Sequence, residues 1–131
     1  MSTRAEAMTG GPVLVVDDDP ALRLAILWAL EDEGLSVETA ADGYQALDAS
    51  SRRRPAIVVL DMGLPVMGGV EVAAGLRRHH GSEIPILLIT ADGRAGEKAR
   101  RVGAFDYLHK PFELDELVAA VHRAMGQEST G

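Results

Sequence analysis

The chain has 131 residues, 47% apolar and 25% charged, a balance that suits one globular domain with a single core. Thirteen Lys and Arg against twenty Asp and Glu give a formal charge of −7, which argues against direct nucleic-acid binding, since phosphate contacts need a basic face. Cysteine is absent, excluding disulfides and thiolate metal sites, and no apolar run approaches the roughly 18 residues of a membrane span. Residues 1–11, MSTRAEAMTGG, lack the apolar core of a signal peptide and read as a loose arm. Residues 127–131 read as a polar C-terminal tail, and a cytoplasmic location is expected.

Between arm and tail, strand-like and helix-like segments alternate. Val13–Val16 comes first, a continuous apolar run of the kind found in strands covered on both faces. A helix is predicted over about 20–33, then a mixed strand at Val37-Glu38-Thr39 and a helix over 43–53. The apolar run Ile57–Leu60, a helix over 69–79, and the apolar run Ile86–Ile89 follow. A helix over 94–102, a mixed strand over Asp106–His109, and a helix over 113–125 complete the chain. The last helix has the clearest stripe, with Leu114, Leu117, Val118, Val121 and Met125 at helical spacing. Such alternation implies right-handed βαβ units and a parallel sheet, with the three buried runs central and the two mixed strands at the edges.

In open sheets of this kind, ligands bind beyond the carboxyl ends of the central strands. The first run ends in Asp17-Asp18, the third strand in Asp61, the fourth in Thr90 and the fifth in Lys110-Pro111. Asp19 directly precedes Pro20 and a helix, so it reads as an N-cap with proline in the first turn. That leaves Asp17, Asp18 and Asp61 as a hard oxygen site suited to Mg²⁺. Thr90 adds a hydroxyl and Lys110 an ammonium, both suited to phosphoryl oxygens. A carboxylate in such a site can act as a nucleophile and form an aspartyl phosphate.

The stretches VLVVDDDP, IVVLDMGLPVMGG, ILLITA and FDYLHKPF, in this order and at these separations, resemble a response-regulator receiver domain of two-component signal transduction over residues 12–126. The resemblance implies a flavodoxin-like, doubly wound α/β fold, with a five-stranded parallel sheet in the order 2-1-3-4-5 and five helices. It implies that Asp61 is the phosphoacceptor, that Asp18 and Asp61 bind Mg²⁺ directly, that Gly63 lends its carbonyl, and that Asp17 acts mainly through water. Thr90 and Lys110 would hold the phosphoryl group, Tyr107 matches an aromatic switch, and Lys110-Pro111 matches a cis peptide of the family. A sensor histidine kinase or histidine phosphotransferase would supply the phosphoryl group, and a downstream protein target or a phosphorylation-dependent dimer would read it. Two features depart from the family pattern. Gly68 stands where an acid is frequent, and the stretch from Thr90 to Tyr107 is about two residues short and carries Gly93 and Gly96, so a short or irregular fourth helix is expected.

Other signals have local explanations. Arg52-Arg53-Arg54, Arg77-Arg78 and Arg100-Arg101 fall near predicted helix C-termini, where cations favour the dipole. In the first helix, Leu22, Ala25, Ile26 and Ala29 form the expected core stripe, which puts Leu24, Leu27 and Trp28 on its flank or outside, either as a partner-docking patch or as extra packing within the domain. Two other functions compete with the phosphoryl switch. One is a haloacid-dehalogenase-like phosphatase using Asp17 as nucleophile and Asp19 as acid, which leaves Asp61 without a role and lacks a late acidic motif. The other is a binding module that no longer uses phosphate, against which the complete site argues.

Overall fold

The computed structural model describes residues 11–81 and 83–126. Apart from Gly11, the expected arm and tail lie outside them. Ten elements alternate: β1 (Val13–Val16), α1 (Pro20–Glu31), β2 (Val37–Ala40), α2 (Gly43–Arg52), β3 (Ile57–Asp61), α3 (Gly69–His80), β4 (Ile86–Thr90), α4 (Ala95–Val102), β5 (Asp106–His109) and α5 (Leu114–Ala124). The strands form one parallel sheet in the order β2-β1-β3-β4-β5. Every residue of β1, β3 and β4 is buried, as their unbroken apolar runs imply, while β2 and β5 lie at the edges. β3 and β4 each run one residue past their apolar stretch, so Asp61 and Thr90 are the last residues of paired strands.

Alternating side chains divide the core in two. Val13, Val15, Ile57, Val59, Leu87 and Ile89 face α1 and α5, packing on Ile26, Leu30, Leu117 and Val121. Leu14, Val16, Val58, Leu60 and Leu88 face the other way, onto α2, α3 and α4 through Ala46, Val72, Leu76 and Val102. Each large side chain so buried contributes about 1.5–3 kcal/mol relative to exposure. The stripe of α1 differs from the expected one. Ile26 and Leu30 are fully buried, whereas Leu22, Ala25 and Ala29 are only half-buried. Leu22, Ile26 and Leu30, four residues apart, pack on the sheet, whereas Ala25 and Ala29 each lie about 100° round the helix from them, on its flank.

Helix ends follow local chemistry. Asp19 caps α1, its carboxylate accepting from the backbone N–H of Ala21 and Leu22. Asp42 caps α2 by accepting from Gln45 N–H at 2.8 Å. α4 is the short helix the sequence suggests, eight residues long and without a side-chain cap at Arg94. It ends on Gly103 at φ 68°, the left-handed position that glycine fills without strain. Arg52, Arg77, Arg78, Arg100 and Arg101 do lie in last turns. Arg77, however, serves a neighbour as well, donating at 3.0 Å to the carbonyls of Val102 and Gly103 at the end of α4.

Candidate functional site

The chain leaves β1 toward β2 on one side and returns past it to β3 on the other. The strand order therefore reverses between β1 and β3, opening a crevice beyond their carboxyl ends. Asp17 directly follows β1 and Asp61 ends β3, so the two acids flank that crevice. Asp17 is fully buried and Asp61 is 5% exposed, while Asp18 lies open to solvent. Carboxylate oxygens of Asp17, Asp18 and Asp61 come within 4.8 Å of one another.

Backbone amides orient the two buried acids. Asp17 Oδ1 accepts from Asp19 N–H at 2.9 Å, and Asp61 Oδ1 accepts from Gly63 N–H at 2.9 Å. Their second oxygens face Lys110, whose Nζ lies 3.4 Å from Asp61 Oδ2 and 3.5 Å from Asp17 Oδ2. The contact to Asp61 is a hydrogen bond, whereas Asp17 Oδ2 is buried without one. Burial pushes the Asp17 carboxyl above the usual carboxylate range; the Asp19 N–H opposes this, Asp61 adds to it, and Lys110 offsets part. Burial also works against the Lys110 ammonium, but the charges of Asp61 and then Asp17 outweigh it and hold its pKa above the usual lysine value. A buried acceptor lacking a hydrogen bond, beside two more carboxylates and a carbonyl-bearing loop, fits an oxygen-seeking cation such as Mg²⁺.

Thr90 is 2% exposed, and its Oγ1 accepts from Asp92 N–H at 3.0 Å. Its carbonyl accepts from Lys110 N–H at 2.8 Å, which ties the end of β4 to the residue that contacts both acids. The Lys110-Pro111 peptide is cis. Asp92 is held by the start of α4, accepting from Arg94 N–H at 2.8 Å and pairing with Lys98 at 3.0 Å. The Arg94 amide, then the Lys98 ammonium, pull its carboxyl below the usual range. Tyr107 on β5 is 43% exposed and reaches α4, where a side chain at Gly96 would meet its hydroxyl oxygen at 3.4 Å.

Asp17, Asp18, Asp61, Gly63, Thr90 and Lys110 are thus brought to one edge, with Tyr107 on the α4 side. Leu24, Leu27 and Trp28 lie apart on α1, with Leu24 42% and Trp28 63% exposed and Leu27 half-buried. One contributor was missed from sequence. Arg23 donates from Nη1 to the Asp17 carbonyl at 2.7 Å, bracing the loop that carries the paired acids. Its place one turn after the Asp19 cap was the available signal, since that turn faces back toward the loop.

Buried acids beside a lysine and a strand-end threonine at the switch point of a parallel sheet fit a phosphoryl-accepting switch. The chain belongs to the response regulator receiver domain family, whose sequence pattern matches residues 13–122. The response regulator MprA of Mycobacterium sp. (strain KMS) is 43% identical over 119 residues, 89% of this chain and 51% of the relative. MprA of Mycobacterium avium (strain 104) is 45% identical over 109 residues, 82% of this chain and 47% of the relative. The chain spans about half the length of these curated relatives. Among solved structures, Vibrio cholerae chemotaxis protein CheY4 superposes with a TM-score of 0.79 at 34% identity, covering 86% of this chain and 97% of that one. The receiver domain of NtrX from Brucella abortus gives 0.80 at 34% identity, covering 88% and 99%. Receiver domains of this family are phosphoryl-accepting switches of two-component signalling, phosphorylated by histidine kinases, and are not conventional enzymes. Among the described residues, no helix is long and apolar enough to cross a membrane.

Proposed function

We propose that residues 12–126 form a receiver in which Asp61 accepts a phosphoryl group from a sensor histidine kinase or a histidine phosphotransferase. The phosphorus–nitrogen bond of the donor phosphohistidine breaks as a bond forms to a carboxylate oxygen of Asp61. The observation carrying this is Lys110, which stands within 3.5 Å of both buried acids while Asp17 Oδ2 lacks a hydrogen bond. Asp17, Asp18, Asp61 and the Gly63 carbonyl would hold Mg²⁺, which when bound offsets negative charge on the transferring group. Lys110 neutralises a further phosphoryl oxygen, and Thr90 offers its hydroxyl once the β4–α4 loop moves inward. Tyr107 then follows the loop, so the modification biases an equilibrium between two arrangements of that edge.

Leu24, Leu27 and Trp28 offer the donor an apolar docking patch on α1, outside the acidic site. The signal passes to a downstream protein target or to a phosphorylation-dependent dimer, and a slow self-catalysed hydrolysis of the aspartyl phosphate ends it. A cytoplasmic setting suits a kinase-fed switch. The phosphatase alternative is disfavoured by Asp19, whose carboxylate is occupied in capping α1. Intact mass after incubation with acetyl phosphate and Mg²⁺ tests the assignment. Wild type gains one phosphoryl group, whereas Asp61→Asn gains none. Persistent labelling of that variant, abolished by the further change Asp17→Asn, would overturn the receiver reading.

A further inference from the structure

Seven large apolar side chains are exposed among the described residues, and they fall into three groups. Leu24 and Trp28 lie on the α1 patch already given to the phosphoryl donor, and Phe105 and Tyr107 lie at β5 beside the switch. The third group has no part in that reading. Tyr44 and Val66 line a cleft between α2 and α3, and Val70 stands beside it on α3. Val66 is 84% exposed and has φ 68°, a left-handed backbone that strains a β-branched residue. The loop thus holds an apolar side chain in solvent at a conformational cost.

The charges beside the cleft are self-complementary. Glu71, Ala74 and Arg78 line it and share one face of α3, at positions i, i+3 and i+7. Seven residues of helix set the two opposite charges about 10 Å apart, with the small Ala74 between them. Arg78 has no ion pair among the described residues, and Glu71 commits only one oxygen, to Gly68 N–H at 2.8 Å. A second copy packed antiparallel about a two-fold axis beside Ala74 sets Glu71 of each chain against Arg78 of the other. The same operation covers Val66, Val70 and Tyr44 on both copies, which is how an isologous contact works.

We infer that the α2–α3 face is a self-association surface on which two copies of this chain pair through Val66, Tyr44 and reciprocal Glu71–Arg78 contacts, independently of the phosphorylation site. Sedimentation velocity of the unphosphorylated protein across a concentration series, at low ionic strength, tests it. Wild type approaches the mass of a dimer, less so as salt screens the paired charges. Glu71→Arg and Arg78→Glu each weaken association about tenfold or more, because like charges then face each other twice. An equimolar mixture of the two variants restores it, because the mixed pair again opposes unlike charges at both contacts. A mere folding defect in either variant cannot produce that rescue. Val66→Gly relieves the left-handed strain, so it leaves thermal stability unchanged or raised while weakening association. A wild type monomeric at every concentration, a mixture no tighter than its components, or unaltered association of Val66→Gly would each overturn the inference.

Discussion

β1 and β3 deliver the acids from the ends of strands that are buried throughout and have a neighbouring strand on either side, while the residues beyond Thr90 are held much more lightly. On the acidic side, Asp17 and Asp61 are oriented by backbone amides two residues further on, and Arg23 braces the loop between β1 and α1. On the α4 side, the helix is eight residues long and lacks a side-chain N-cap, and β5 forms a sheet edge with alternate residues exposed. Chemistry that must place a carboxylate within fractions of an ångström belongs on the rigid side. A readout that must move after a small energetic change belongs where few buried contacts resist it. Lys110 and the Thr90 carbonyl join the two regions.

The widest separation between the regions should appear in stability. Leu60→Ala removes a fully buried side chain of β3 and should cost about 3 kcal/mol, whereas Val102→Ala at the end of α4 should cost about 1 kcal/mol. Urea denaturation measures both, and amide hydrogen exchange should find β3 protected close to the global limit and α4 well below it. Equal costs with equal protection would erase the contrast.

A smaller effect sharpens the account of the acidic side. The raised Asp17 carboxyl means that its ionised form opposes folding. The penalty is absent well below pH 3.8 and develops as the pH rises through its folded value. At neutral pH and without divalent cations, Asp17→Asn should therefore stabilise the fold by about 1 kcal/mol. Added Mg²⁺ should stabilise wild type far more than the variant, narrowing or reversing the difference in melting temperature. A variant destabilised without metal would mean that the charge of Lys110 outweighs burial.

Smallest of all should be the effect of Asp92→Asn on the α4 side. Its carboxyl is lowered by the Arg94 amide and by Lys98, so its support is present above pH 3.8 and is lost as the pH falls through its lower folded value. The variant should speed amide exchange at the start of α4 near neutral pH and leave global unfolding almost unchanged. Undiminished protection there would show that the helix start does not depend on this carboxylate.

Much of the molecule could be read without its tertiary structure. The buried runs at Val13–Val16, Ile57–Leu60 and Ile86–Ile89, the Asp19-Pro20 helix start and the glycine-weakened fourth helix are local patterns, and each element was found where its pattern lay. The strand-end acids, Thr90 and Lys110 could be nominated because alternation of strands and helices sends every parallel strand to the same edge. The exposed Trp28 followed from a helix with more apolar residues than one face can hide.

Contacts between distant segments were not legible in this way. Leu30, not Ala25 or Ala29, completes the α1 stripe with Leu22 and Ile26, because the seating of the helix on the sheet decides which angular face is covered. Arg77 reads from sequence as a cation at the end of its own helix, yet it donates to the last carbonyls of α4. Arg23 at the Asp17 carbonyl, Lys110 between two acids and the charge pattern beside the α2–α3 cleft likewise depend on how helices seat against the sheet. The order of residues determined which elements form and which chemical groups reach the crevice, because backbone propensity and hydrophobic period act over one or two turns. Only the packed fold decided which of those groups meet, because distances between segments far apart in sequence are set by the sum of all their contacts.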